Sequence, residues 1–101
     1  MIREVSKDTF KDDIKAGKVL VDFYSKTCGP CKMLGFILDD LAKDNEDVDI
    51  LKVDFEQNEE LVKEYGVEGY PTLIMFNDGE EVSRHGGLQQ KPKIQAMIDQ
   101  A

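Results

Sequence analysis

Residues 22–32 read DFYSKTCGPCK and hold both cysteines of the chain, Cys28 and Cys31, with Gly29 and Pro30 between them. What surrounds this stretch decides the fold. Upstream, Lys18 to Tyr24 (KVLVDFY) is nearly continuous in apolar and β-branched residues, as in a strand buried on both faces. Downstream, Leu34, Ile37, Leu38 and Leu41 follow the i, i+3, i+4, i+7 spacing of one helical face. A helix is therefore expected to start near the cysteines and to run to about Lys43. The thiols fall on the junction between strand and helix.

That junction matters chemically. A helix N-terminus carries unpaired N–H groups and a partial positive charge, and both favour thiolate over thiol. With Cys28 at the cap, Cys31 lies one turn on and on the same side, within disulfide reach. Pro30 is tolerated there because first-turn N–H groups have no intrahelical acceptor. Its own nitrogen cannot donate to the Cys28 sulfur, whereas the Cys31 N–H can. This predicts moderate thiolate stabilisation, which suits a reductant better than a strong oxidant. An inert buried pair or a static disulfide is the plain structural alternative. Zinc is disfavoured, because a structural site takes four ligands and the obvious nitrogen and sulfur donors are Cys28, Cys31 and His85.

Working outward, Ile2 to Val5 suits a short strand. Phe10 and Ile14 share a helical face, with Ser6 or Asp8 as the cap and Gly17 as the stop. Asp49 to Asp54 reads as a strand. Asn58 is placed to cap a short helix whose first turn carries Glu59 and Glu60, whose inner face is Leu61, Val62 and Tyr65, and which ends at Gly66. Thr72 to Phe76 and Glu81 to His85 flank NDGE, whose Asp78-Gly79 pair signals a hairpin. Pro92 suits the first turn of a last helix with Ile94, Met97 and Ile98 as its apolar stripe. The order is β-α-β-α-β-α-β-β-α. A right-handed crossover around the cysteines makes the flanking strands parallel, and the final hairpin adds antiparallel pairing. An α/β mixed sheet with helices on both faces follows. Met33 and Met75 are expected in the core, His85 as an ordinary strand residue and Lys32 as a solvated one.

With 101 residues the chain fits a single domain, 1–101, around one core. No apolar run approaches the ~18 residues a membrane helix needs, so no membrane partner is expected. The start, MIREVSKDTF, is charged and lacks a hydrophobic signal core, which predicts a cytoplasmic protein. A net charge of −8, from 13 basic and 21 acidic residues, argues against binding nucleic-acid phosphates. Asp22 interrupts an apolar strand, which is costly unless the carboxyl is paired or protonated. It reads either as a hydrogen-bonded structural residue or as a proton acceptor with its pKa raised by burial. Gly86 and Gly87 read as a turn after the last strand or as a place of close backbone approach.

CGPCK at Cys28 to Lys32, behind an Asp-bearing apolar strand and about forty residues ahead of GYPT at Gly69 to Thr72, resembles the thioredoxin family over nearly the whole chain. A bare C-x-x-C is a weak signal; this combination at this spacing is specific. The resemblance implies the thioredoxin fold, a five-stranded mixed sheet of order 1-3-2-4-5 flanked by four helices. It implies a protein-disulfide oxidoreductase that reduces disulfide-containing protein substrates by reversible dithiol–disulfide exchange. A thioredoxin reductase, drawing on NADPH or ferredoxin, would recycle it; the protein itself needs no cofactor or metal and acts as a monomer. By matching positions, Cys28 is the nucleophile, Cys31 the resolving thiol and Asp22 the buried acid. Pro71 matches the family's cis-proline and Gly86 the glycine of the substrate groove, with Thr27, Gly29, Pro30 and Tyr70 completing the substrate-binding surface. A thiol lowered from about 8.5 to about 7, the family's own value, gains roughly 16-fold in thiolate at pH 7, loses roughly 5-fold in nucleophilicity, and nets only about 3-fold. Docking of the substrate and the waiting second thiol must supply the rest.

Three departures from the pattern stand out. Thr27 replaces the usual Trp, Tyr24 carries the earlier aromatic position, and the chain has no Trp. Gly35-Phe36 replaces a common Ala-Pro, which predicts a weaker helix kink. Ile50 stands where a Lys beside the buried acid is expected, with Lys52 on the same strand face as its substitute. The rival readings are a thiol oxidase or disulfide isomerase, and a non-redox accessory binding subunit.

Overall fold

Side chains along a strand alternate between faces, and in β2 (Lys18–Tyr24) that alternation feeds two separate cores. Val19, Val21 and Phe23 pack into one, while Leu20 packs into the other with Asp22 on its face. The computed structural model describes residues 1–101. Its elements are β1 (Ile2–Glu4), α1 (Phe10–Asp13), β2, α2 (Gly29–Asp44), β3 (Asp49–Asp54), α3 (Glu59–Glu64), β4 (Thr72–Asn77), β5 (Glu80–Gly86) and α4 (Lys91–Asp99). The five strands lie in the order β1-β3-β2-β4-β5. β1 and β2 run parallel to β3, and β4 runs antiparallel to both β2 and β5. This is the expected mixed sheet with four helices.

Phe10, Ile14, Leu61 and Val62 cover one face, with Leu51, Val53, Ile74 and Phe76 beneath them. Leu34, Leu38 and Leu41 of α2, with Ile94, Met97 and Ile98 of α4, cover the other over Leu20, Ile50, Leu73 and Met75. The hydrophobic spacing seen in the sequence therefore lands on the sheet. Gly66, directly after the C-cap Tyr65 of α3, takes φ of 62°, the left-handed geometry that ends a helix cheaply only in glycine. Gly17 does not stop α1, which already ends at Asp13 with Ile14 as its cap; its φ of 74° serves the turn into β2. Asp78 (φ 51°) and Gly79 (φ 86°) form the two-residue hairpin turn, and the strands close up to it at Asn77 and Glu80.

Several local expectations are corrected. Val5 lies beyond β1, though its N–H still reaches the Lys52 carbonyl at 2.9 Å. Neither Ser6 nor Asp8 caps α1; Thr9 precedes it, and the Thr9 hydroxyl donates to Asp13 at 2.7 Å. Asn58 stands at the start of α3 without capping it. Its side chain accepts from the Lys7 N–H and donates to the Asp54 carbonyl, each at 2.9 Å, so it ties two loops together. Met75 is buried as expected, but Met33 is 56% exposed, because it sits one step, about 100°, around α2 from the sheet-facing Leu34. α2 runs unbroken through Gly35-Phe36, leaving Phe36 75% exposed.

Phe10 anchors the first core, with ring centroids 5.3 Å from Tyr65, 6.1 Å from Phe76 and 6.3 Å from Phe23. Phe10→Ala is expected to lower the free energy of unfolding by about 3–5 kcal/mol in a urea titration, from lost burial and the cavity left behind.

Candidate active site

Because Phe23 of β2 pairs with Thr72 of β4, the end of β2 and the start of β4 meet at one edge of the sheet. Gly86 pairs with Thr72 from the other side. The cysteine helix, the segment before β4 and the end of β5 are thereby delivered to the same edge from distant parts of the chain.

At the end of β2 the chain turns through Ser25, Lys26 and Thr27. The Cys28 N–H donates to the Ser25 carbonyl at 3.3 Å, and the buried Ser25 hydroxyl donates to Glu56 at 2.5 Å. Cys28 then caps α2 in an extended conformation (φ −104°), and the Cys31 N–H donates to its sulfur at 3.1 Å. Pro30 occupies the first turn and offers no competing donor. The two cysteines form a disulfide across a Cα–Cα distance of 5.2 Å. They differ in access: Cys28 is partly exposed, whereas Cys31 is 4% exposed. Thr27, Gly29 and Pro30 are exposed around Cys28.

Across the edge, the Tyr70–Pro71 peptide is cis. The Thr72 hydroxyl donates to the Gly69 carbonyl at 2.7 Å, and the Gly87 N–H donates to the Pro71 carbonyl at 2.7 Å. Tyr70, Pro71, Arg84 and Gly86 help to line an open groove of about 470 Å³. Gly87, with φ of 82°, is the residue the turn requires. Gly86 belongs to β5 and to the groove, and a Cβ built there would meet nothing within 4 Å. His85 pairs with Leu73 as an ordinary strand residue, and Lys32 is exposed.

Behind the cysteines, Asp22 is completely buried, and neither carboxyl oxygen has a hydrogen-bond partner. Burial pushes this carboxyl up from 3.8 to about 7; Lys52 draws it down and Glu4 pushes it up further. The register puts Lys52 directly opposite Asp22, whereas Ile50 is opposite Leu20. The expectation that position 50 marks a missing lysine is thus corrected: Lys52 itself holds the place beside the acid. A second cavity, of about 330 Å³, is lined by Tyr24, Cys31, Phe36 and Lys52, among others, but not by Asp22 itself. Sequence reasoning missed Glu4, Arg84 and Phe36. Glu4 and Arg84 look like ordinary charged strand residues, and only the lone aromatic among the polar positions of α2 offered a signal for Phe36.

The family model described as Thioredoxin matches residues 1–100. The chain belongs to the thioredoxin family. A thioredoxin of Chlamydia muridarum is 45% identical over 98 residues, covering 97% of this chain and 96% of the relative. One from Staphylococcus haemolyticus is 39% identical over 99 residues, covering 97% and 95%. Among solved structures, a mutant thioredoxin from Halobacterium salinarum superposes with a TM-score of 0.91 at 36% identity, covering 98% of this chain and 88% of that one. The thioredoxin of Malassezia sympodialis gives 0.88 at 29% identity, covering 98% and 91%. As a thioredoxin-family protein with a joined C-x-x-C pair, the chain is a protein-disulfide oxidoreductase working by dithiol–disulfide exchange. The oxidase-like and accessory-subunit readings are not favoured. Family membership implies a thioredoxin reductase and disulfide-bearing proteins as partners. No helix is long and apolar enough to cross a membrane.

The raised Asp22 pKa makes stability depend on pH in a definite sense. The folded state holds this proton more tightly than the unfolded chain, whose carboxyl titrates near 3.8. The advantage of the neutral form is complete below about pH 4 and is lost as pH rises through about 7. Asp22→Asn, which cannot ionise, is expected to raise the unfolding free energy by roughly 4 kcal/mol at pH 8 and to change it little at pH 4. Urea titrations of both proteins at the two pH values measure this.

Proposed function

We propose that Cys28 is the attacking thiolate of a cytoplasmic, monomeric reductant of protein disulfides, formed by one domain spanning residues 1–101. The observation that carries the assignment is the asymmetry of the pair: a partly exposed sulfur at a helix cap, joined to a buried one a turn deeper. The Cys28 thiolate attacks one sulfur of a substrate disulfide. A Cys28–substrate disulfide forms and the other substrate sulfur leaves as a thiolate. Cys31 then attacks the Cys28 sulfur, closing the Cys28–Cys31 disulfide and releasing the second substrate sulfur. Two electrons pass to the substrate, and a reductase returns them from NADPH or ferredoxin. Exchange of this kind needs no metal and no bound cofactor.

Cys31 must lose its proton before it attacks, and Asp22 is the proposed acceptor, acting through an intervening water. A carboxyl near 7 is a far better match for a thiol near 8.5 than an ordinary carboxylate would be. Thr27, Gly29 and Pro30 on one side, and Tyr70, Pro71 and Gly86 on the other, form the proposed substrate-binding surface. The backbone at Tyr70 is free to pair with an extended substrate segment as an added strand. Gly86, without a side chain, leaves room for that segment.

The test is reduction of a protein disulfide driven by a small dithiol. Cys28→Ser should lose essentially all turnover. Cys31→Ser should accumulate a covalent substrate complex visible on a non-reducing gel. Asp22→Asn should leave the first attack intact and slow the release step by roughly 10-fold or more, as expected for loss of an acid–base group. Full activity of Cys28→Ser would refute the assignment of roles.

A further inference from the structure

Lys52 lies between two carboxylates. In the sheet register it is opposite Glu4 on β1 and opposite Asp22 on β2, all three on one face. Its ammonium sits 4.6 Å from the centroid of the Tyr24 ring, as in a cation–π contact. The Tyr24 hydroxyl donates to Glu4, with Oε1 at 2.7 Å and Oε2 at 2.8 Å. Asp22 has no hydrogen bond from Lys52 or from any other group. The lysine is thus seated on a ring that an acid fixes from the far strand, and it does not reach over to the buried carboxyl.

We propose that Glu4 and Tyr24 are positioning residues for Lys52: the ring seats the ammonium and Glu4 holds ring and charge to the β1 side, so that Asp22 keeps its proton-accepting strength. The inference rests on the reading of Asp22 as the acceptor for Cys31. Without the seat, Lys52 turns toward Asp22, forms the missing ion pair and makes the carboxylate too weak a base for a thiol.

The other groups on this face do not replace the arrangement. On β3, Asp54 is engaged with Lys26 at 3.6 Å and with the Glu56 N–H at 3.0 Å. From α2, Cys31, Lys32 and Asp39 border the cavity that Tyr24 and Lys52 also line, but Lys32 and Asp39 are exposed. From β4, the residue opposite Asp22 is Leu73, and α4 offers apolar Ile94 to the same core.

The experiment follows the Asp22 carboxyl carbon by NMR through a pH titration of the reduced, full-length protein labelled at aspartate. Glu4→Gln should lower the Asp22 midpoint by roughly 0.3 pH unit or more; a smaller fall, or a rise, overturns the proposal. The same substitution is then made on a Lys52→Met background. A shift cut to less than half shows that Glu4 acts through the lysine. A shift that keeps half or more of its size means a direct field effect and overturns the positioning role. Tyr24→Leu, checked for folding by thermal melt, should also lower the midpoint; no change or a rise removes the ring from the proposal. Because the signal comes from Asp22 itself and not from turnover, these outcomes are separate from failure of the acceptor reading, which would appear as full-rate substrate release by Asp22→Asn.

Discussion

An acid in the middle of a hydrophobic sheet is the constraint on which the rest of this structure depends. Asp22 could sit at low cost on a surface strand. It sits in β2, which pairs on both sides and is covered on both faces. No fold can leave such a carboxyl there without either satisfying it or holding it neutral. This one keeps it neutral up to about pH 7, where it can exchange a proton. The hydrophobic packing on both faces, which keeps solvent from Asp22, therefore sets the proton affinity of this group as well as the stability.

The site is assembled by topology more than by local motif. The junction of β2 and α2 sets the thiols at a helix cap, and the register of β2 with β4 brings the cis-proline segment to the same edge. Cys28 and Cys31 are three residues apart, the first extended at the helix cap and the second inside the first turn of α2. Their different exposures follow from these places: Cys28 at the cap is partly open to solvent, and Cys31 a turn deeper is 4% exposed. A difference in access between two identical side chains follows from that single turn.

Much of this was legible from residue spacing. The apolar run at Lys18–Tyr24, the leucine stripe of α2 and the Asp78-Gly79 turn each have one physical solution, and the structure adopts it. The sulfur–amide cap at Cys28 was readable too, because proline removes the competing donor. Side-chain commitments beyond the local chain were not. Asn58 looked like a helix cap and is instead spent on Lys7 and Asp54, a choice that only tertiary contact could reveal. Met33 is expected in the core, yet a rotation of one residue around α2 puts it in solvent. The place of Lys52 could be fixed only by strand register, which the sequence constrains through face but not through partner.

The rim around Cys28 has one more property. It carries Thr27 where an indole is common in the family, and the chain contains no Trp at all. Light absorbed at the red edge of the protein band is therefore invisible to this molecule. When a client protein with its own indole binds, any emission excited there belongs wholly to the client. The absent ring makes the reductant a silent observer, against which the unfolding or release of its clients can be watched directly.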